Sequence, residues 1–171
     1  MGLTPDGMVK LAELLSQLRP GFLPQPVFIE VARLTVTPVV EVVPLRSARF
    51  GPQVLLLERD QKDPTWPGML HTPGSVVRAT DREGSYTDAL SRILLDELHA
   101  IATKSNPRFV GNFLHKVRRG MESAIVYYVE IAGEPRTGDF YDISSLPPNV
   151  VDTQLGFIEA AAETFSRSSN G

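Results

Sequence analysis

The 171-residue chain contains no cysteine. This absence excludes disulfide bonds, a thiolate zinc site and a cysteine nucleophile, and it is compatible with a reducing compartment such as the cytoplasm. An excess of basic residues is also missing, because the formal net charge is −3. Nucleic-acid-binding proteins usually carry a basic surface, so we expect no nucleic-acid partner.

Long apolar runs and several catalytic motifs are absent as well. No run approaches the ~20 residues that span a bilayer, so no membrane partner is expected. Residues 4–18 are amphipathic, which predicts a helix packed on the domain body or on a second subunit rather than a signal-peptide core. The chain has no Gly-x-Ser-x-Gly elbow, no Gly-Lys-Ser/Thr phosphate loop and no Gly-x-Gly-x-x-Gly turn. If the protein is an enzyme, metal-assisted attack by water is therefore favoured over covalent catalysis.

The composition, with 42% hydrophobic and 22% charged residues, is that of one compact α/β domain. Proline-rich residues 20–26 predict a stiff connector between an N-terminal region, 1–30, and a domain spanning 31–171. Residues 33–45 predict a long strand, in which Pro38 and Pro44 indicate an edge or a bulge. We further predict a buried strand over 53–59, a hairpin centred on residues 119–120, and a closing helix over 151–165.

Glu97 lies on an otherwise apolar face of the helix predicted over residues 86–101. Residues at helical spacing share this face: Tyr86, Leu90, Ile93, Leu94 and Ile101. Asp96 falls at its rim, and the opposite face carries Asp88, Arg92 and His99. A carboxylate against apolar neighbours costs several kcal/mol unless a cation or donors compensate it. Either a divalent metal or a buried Arg or Lys must therefore meet Glu97.

The segment before this helix supplies a second candidate metal ligand. Residues 66–77 form an apolar stretch broken by Pro73-Gly74, which brings a backbone carbonyl close to the helix. Magnesium takes oxygen ligands and keeps several waters, so a carboxylate and one carbonyl can hold it. Residues 85–88, Ser-Tyr-Thr-Asp, fit the capping-box pattern that starts a helix. A Pro-Gly pair is far more often a plain turn than part of a metal site, so both interpretations stay open.

These residues together resemble a degenerate Nudix box, the strand-loop-helix motif of Nudix hydrolases. The resemblance covers residues 34–167 and is carried by Trp66, Pro73-Gly74, Glu83, Ala89 and the run 92–98. It implies an α/β/α sandwich with a mixed β-sheet, preceded here by an N-terminal helix. It also implies magnesium- or manganese-dependent hydrolysis of a nucleoside diphosphate linked to another moiety, such as a sugar, and a homodimer.

The resemblance implies roles for individual residues. The metal would be held by the Gly74 carbonyl and Glu97, with Asp96 and Glu83 assisting. The catalytic candidates are Glu97, Asp96 and, independently of the resemblance, His71, which lies beside Pro73-Gly74 and is a candidate general base; His115 is a further one. Substrate contacts would come from Arg59 to the diphosphate, Trp66 to a base and Lys116 to a phosphate. For each of these contacts the alternative is an ordinary surface residue or, for Trp66, a core residue.

The chain also departs from the family pattern. Ser75 and His99 replace usual glycines, and Ile93 replaces the glutamate that follows the box arginine. An apolar residue at that position is similar to the box of GDP-mannose mannosyl hydrolases, although residues 135–139 lack the histidine of that branch. The losses favour an alternative, a catalytically inactive Nudix-like domain that binds a ligand or a partner.

Overall fold

The computed structural model describes residues 2–21, 23–99 and 106–169. Along the chain, the helices and strands are α1 Pro5–Ser16, α2 Gln25–Leu34, β1 Val36–Ala48, β2 Gly51–Glu58, β3 Leu70–His71, β4 Gly74–Val76, α3 Thr87–Arg92, a π-helical turn Ile93–Glu97, β5 Arg108–Val117, β6 Gly120–Glu130, β7 Asp139–Asp142, a 3-10 turn Ile143–Ser145 and α4 Asp152–Ser169. The predicted strand over 53–59, the hairpin and the closing helix are confirmed. We call residues 87–97 the box helix.

The strands form one mixed sheet in the order β3-β2-β1-β6-β5, with β4 also paired to β1 and β7 to β2. The β1–β6 pair is parallel and the others are antiparallel. The edge position predicted for the strand with Pro38 and Pro44 is wrong, because β1 is central. Proline has no amide hydrogen to donate. Pro38 is tolerated in β1 because it lies opposite Val77, one residue beyond the end of β4, so only its carbonyl is used, as the acceptor of the Val77 amide.

Helices cover both faces of the sheet, so the predicted α/β/α sandwich is confirmed. On one face α4 packs Phe157, Ile158 and Ala161 against alternate β1 residues such as Val39 and Val43. On the other face the box helix packs Ala89, Ile93 and the following Leu98 against Val40 and Val42. Because successive side chains of a strand point to opposite faces, β1 contributes to both cores.

The N-terminal region differs from its prediction. Helix α1 forms as predicted, but none of its residues is buried, so packing on the domain body is wrong. A second helix, α2, begins at Gln25 inside the predicted connector. It docks through Ala32, whose carbonyl lies so close to Gly120 that no side chain fits at that glycine. The division at residue 30 remains a prediction and falls inside α2.

The box helix starts and ends differently from its prediction. The capping box does not form, because the Asp88 carboxylate accepts hydrogen bonds from Arg82 and the first helical residue is Thr87. Tyr86 is 39% exposed rather than on the buried face. The helix widens into a π-helical turn, in which the Leu98 amide donates to the Ile93 carbonyl at 3.0 Å. Ile101 lies outside the described residues.

Among the described residues, none of the helices combines the length and the apolar composition that a membrane span requires.

Candidate functional site

The sheet divides where β1 and β2 separate. β1 and β2 pair only near their hairpin, from Leu45–Val54 to Ala48–Gly51. Farther from the hairpin, β1 pairs with β4 and β2 pairs with β3. The chain crosses this gap through Thr72 and Pro73, which connect β3 to β4. At the division, backbone amides that lack a strand partner donate to side chains: the Thr72 amide to Gln154 and the Gly74 amide to Glu97.

The backbone of Gly74 faces away from β1. The Val42 amide donates to the Pro73 carbonyl at 2.9 Å, and the Val77 amide donates to the Pro38 carbonyl at 3.0 Å. The Glu41–Gly74 pair lies between these hydrogen-bonded pairs and is therefore a non-bonded pair of the ladder. Both the amide and the carbonyl of Gly74 consequently point to the free edge of β4. This is the orientation required for the carbonyl to reach a metal.

Glu97 contacts this edge. Its Oε2 accepts a hydrogen bond from the Gly74 amide at 3.3 Å. Burial raises the pKa of Glu97 to about 7, and the charge of Asp96 adds to the effect, while the Gly74 amide and Arg59 oppose it. Among the described residues no Arg or Lys forms an ion pair with Glu97. The alternative of a buried Arg or Lys paired with this carboxylate therefore has no support among the described residues, although the Arg59 charge lies close enough to act on it.

Glu41, which sequence reasoning missed, is a second carboxylate at the same place. Its Oε2 accepts hydrogen bonds from the Thr72 hydroxyl at 3.0 Å and from the Gln154 side-chain amide at 3.3 Å. A Cβ built on Gly74 would lie 2.5 Å from its Oε1. Burial, and secondarily the charge of Glu97, raises the pKa of Glu41 to about 8. The available signal was one acidic residue within the apolar run of a central strand.

A cleft of about 510 Å³ opens beside Glu97. Its polar lining includes His71, Glu58, His99 and Asp139, and within the described residues it contains no Lys or Arg. His99, predicted to point away from the apolar face, lines this cleft instead. Its φ of 49° is the left-handed conformation that favours glycine, the usual residue at that position of the box.

His71 is buried at the edge of this cleft. Its Nδ1 lies 2.8 Å from the Thr72 carbonyl, which can only accept, so Nδ1 carries the proton and Nε2 is left as the acceptor. Burial lowers the pKa of His71 to about 4, and the nearby Arg59 contributes. The ring is therefore neutral near pH 7.

Arg59 and Trp66 form a pair in the loop after β2. The Arg59 guanidinium bonds Asp63 at 3.1 Å and lies 5.2 Å from the centre of the Trp66 ring. Asp63 in turn accepts the Thr65 and Trp66 amides, which fixes the loop. The Arg59 Nε is buried and makes no hydrogen bond within the described residues.

The other predicted residues make no described contact with Gly74. Asp96, Glu83 and Lys116 are exposed, and no described contact brings them to the Gly74 amide or carbonyl. His115 packs on Phe157, with its Nε2 3.5 Å from Glu122, and does not line the cleft.

Arg92 turns toward the sheet, contrary to the predicted direction. It bonds Asp81 at 2.6 Å, the Ser75 hydroxyl at 3.2 Å and the Val76 carbonyl at 3.0 Å. The box helix is thereby tied to β4, which fixes Glu97 relative to Gly74.

The available ligands suit a magnesium ion that keeps several waters, rather than an ion enclosed entirely by side chains. Within the described residues no group of three or more His, Asp or Glu side chains is placed to hold a metal. Two carboxylates and a carbonyl match an ion that keeps several waters. A larger groove of about 650 Å³ lies between α2 and residues 74–79; its mostly apolar lining includes Gly74 but, among the described residues, has no carboxylate.

Comparison with known proteins identifies the fold. No family model matches the sequence, and no curated protein matches it. Among solved structures, the Nudix domain of Shewanella oneidensis NrtR complexed with ADP-ribose is similar, with 17% identity, a TM-score of 0.62, and 90% of this chain and 97% of that chain covered.

Two hydrolases have the same architecture. The MutT Nudix hydrolase of Burkholderia pseudomallei is 22% identical with a TM-score of 0.55, covering 72% of this chain and 97% of that chain. The Caenorhabditis elegans Ap4A hydrolase is 13% identical with a TM-score of 0.57, covering 77% and 99%. The chain therefore has the fold of Nudix domains. None of these three proteins is a GDP-mannose mannosyl hydrolase, and the narrower resemblance to that branch is not supported.

Proposed function

We propose that the protein is a magnesium- or manganese-dependent hydrolase of a nucleoside diphosphate linked to another moiety. The observation that carries this proposal is Glu97, a half-buried carboxylate held at the Gly74 amide without a basic partner in the described residues. The Gly74 carbonyl and Glu97 would hold the ion, and Asp96 and Glu83 would assist through water from their exposed positions. The ion would neutralise phosphate charge and stabilise the leaving group.

The charge of the cleft supports a diphosphate rather than a longer phosphate chain. Its described lining carries Glu58 and Asp139 in addition to Glu97, and no Lys or Arg. Each further phosphate would meet these carboxylates, and the described lining offers no Lys or Arg to add to the charge of the proposed ion. ADP-ribose, the ligand of the NrtR domain, is a nucleoside diphosphate linked to a sugar. Nucleotide sugars are therefore the first substrates to test.

The remaining site residues have defined tasks in this proposal. The Arg59 guanidinium would contact the diphosphate from beside the cleft, whose described lining does not include it, and Trp66, which supports the guanidinium, would hold it in place or stack on the nucleobase. His71 offers an unprotonated Nε2 to a water in the cleft, but its low pKa makes it a weak base. Lys116 would contact a phosphate only at the outer surface, since its side chain is exposed.

Replacement of Glu97 tests the proposal directly. We expect Glu97→Gln to weaken Mn²⁺ binding about tenfold or more and to slow the hydrolysis of ADP-ribose or a nucleotide sugar about a hundredfold. Calorimetry measures the first effect, and quantification of the hydrolysis products measures the second. The control is Glu163→Gln, an exposed α4 glutamate paired with Arg167, which should behave as wild type. Failure of the wild-type protein to bind Mg²⁺ or Mn²⁺, even with nucleotide, would exclude this function.

A ligand-binding module without turnover is the second candidate. Ile93, fully buried where many family members carry a glutamate, is the observation that favours it. This candidate predicts saturable nucleotide binding with no product from any nucleoside diphosphate derivative, in the presence of saturating Mn²⁺. Homodimer formation, a cytoplasmic location and the lack of a nucleic-acid partner remain predictions from the sequence.

A further inference from the structure

We infer that Glu41 of β1, which lies outside the box, is a third protein ligand of the divalent ion held by Gly74 and Glu97. The inference rests on the proposed function, because it concerns the same ion. It adds a carboxylate from the central strand of the sheet to a site otherwise built from the Pro73-Gly74 turn and the box helix.

The space at Gly74 is the first support. A Cβ there would lie 2.5 Å from Glu41 Oε1 and 2.7 Å from Oε2, so a side chain at residue 74 would collide with this carboxylate. The absence of a side chain lets the Glu41 oxygens lie directly against the backbone whose amide is bound by Glu97. Two carboxylates and the outward-facing carbonyl therefore meet at one residue.

The hydrogen bonds of Glu41 leave one oxygen free. Both donors, the Thr72 hydroxyl and the Gln154 amide, bond Oε2, whereas Oε1 has no hydrogen-bond partner within the described residues. Gln154 is itself fixed, because its Oε1 accepts the Thr72 amide at 2.9 Å. Such outer contacts are the kind that orient a metal-binding carboxylate. The free oxygen is the one nearest to Gly74.

Charge balance also points to a cation. Glu122, another buried carboxylate on the α4 face, is compensated by Arg119 at 2.5 Å. Glu41 and Glu97 have no comparable partner: the Arg59 charge acts on both, but no Arg or Lys of the described residues forms an ion pair with either. Neighbouring carboxylates repel each other, and a divalent ion between them removes the repulsion. Glu41 would thus supply, from a strand, the charge lost at Ile93 of the box.

Metal titration of the intact protein tests this ligand. We expect Glu41→Gln to weaken Mn²⁺ binding about tenfold or more in calorimetry and to abolish most of the rise in Tm that Mn²⁺ produces in wild type. Glu163→Gln is the control: Glu163 is an exposed glutamate of α4 that pairs with Arg167, away from the cleft. The control should retain wild-type affinity, although it removes the same charge.

The outcomes separate this inference from the proposed function. If wild type and Glu41→Gln bind Mn²⁺ equally, Glu41 is not a ligand, while a loss in Glu97→Gln would still support the hydrolase. If wild type binds no Mn²⁺, both proposals are overturned. Should Glu41→Gln fail to fold by circular dichroism, Glu41→Asp replaces it, because it keeps the charge but withdraws the oxygens from Gly74. Wild-type affinity in Glu41→Asp would overturn the inference.

Discussion

At the scale of single residues, Gly74 determines whether the two carboxylates can converge. An alanine there would place its Cβ 2.5 Å from Glu41 Oε1, so the carboxylate or the β4 backbone must move. We expect Gly74→Ala to lower the free energy of unfolding by about 1–3 kcal/mol and to weaken Mn²⁺ binding. Urea denaturation and calorimetry measure these two effects.

Gly156 provides the control for this substitution. It lies within α4, and a Cβ there would have no neighbour within 4 Å. Gly156→Ala should therefore raise the free energy of unfolding by about 0.5–1 kcal/mol, because glycine is costly inside a helix. A destabilising effect of the same size in both variants would show that the contact at Glu41 is not the cause.

The sequence allowed some site residues to be predicted and concealed others. Glu97 could be identified because a carboxylate among residues at helical spacing is a local pattern. Glu41 was missed: it stands alone in the apolar run of a strand, but its proximity to Gly74 depends on the separation of β1 and β2, which brings together residues far apart in the chain. The direction of Arg92 was predicted wrongly for a similar reason: its partner Asp81 lies in a loop whose path is not encoded by periodicity.

At the scale of elements, Arg92 connects the box helix to β4. Its side chain is 19% exposed and that of Asp81 only 9%, so water would solvate little of the charge if one partner were removed. We expect Arg92→Met to leave the Asp81 carboxylate unpaired and to lower the free energy of unfolding by about 2 kcal/mol or more. Because β4 would be released from the helix, Mn²⁺ affinity should fall as well. Thermal unfolding and metal titration measure the two changes.

The Arg167–Glu163 pair of α4 is the matched control for Arg92. Its side chains are 77% and 70% exposed, and pairs of this kind contribute about 0–1 kcal/mol. Arg167→Met should therefore leave stability and metal affinity nearly unchanged. An Arg92→Met variant as stable as Arg167→Met would contradict the proposed connection.

Elements with a strong local pattern were predictable. The β5–β6 hairpin and α4 follow from alternation and helical spacing, which need no tertiary information. Helix α2 was missed because the prolines at 24 and 26 resemble a turn, although proline is well tolerated in the first turn of a helix. Strands β3 and β4 have two and three residues, too few for any periodicity to be detected.

For the whole molecule, the two carboxylates make stability depend on pH. The pKa of Glu97 is raised to about 7 and that of Glu41 to about 8, against 4.5 for an ordinary glutamate. The folded protein therefore binds more protons than the unfolded chain over this range, and stability falls as pH rises. His71 acts oppositely below 6.5, because its folded pKa is about 4. We expect the Tm of metal-free protein to fall between pH 6.5 and about 9.

Two comparisons test the origin of this pH dependence. Glu97→Gln should reduce the fall in Tm, since one of the two titrating groups is removed. Excess Mn²⁺ should reverse it, because metal ligands bind in their deprotonated form and affinity rises with pH. An unchanged slope in both experiments would assign the dependence to other groups.

The π-helical turn at Ile93–Glu97 has a consequence for how related chains are compared. It uses one residue more than an α-helical turn, so the carboxylate at its end is displaced in register from the position that uniform 3.6-residue spacing would assign. Residues after the turn are rotated relative to those before it, so a chain with a regular helix can carry the equivalent carboxylate one place away in sequence. The residue equivalent to Glu97 in a related chain should therefore be identified by superposing the two backbones. A carboxylate one position earlier or later in that sequence should be considered before the metal ligand is judged to be missing.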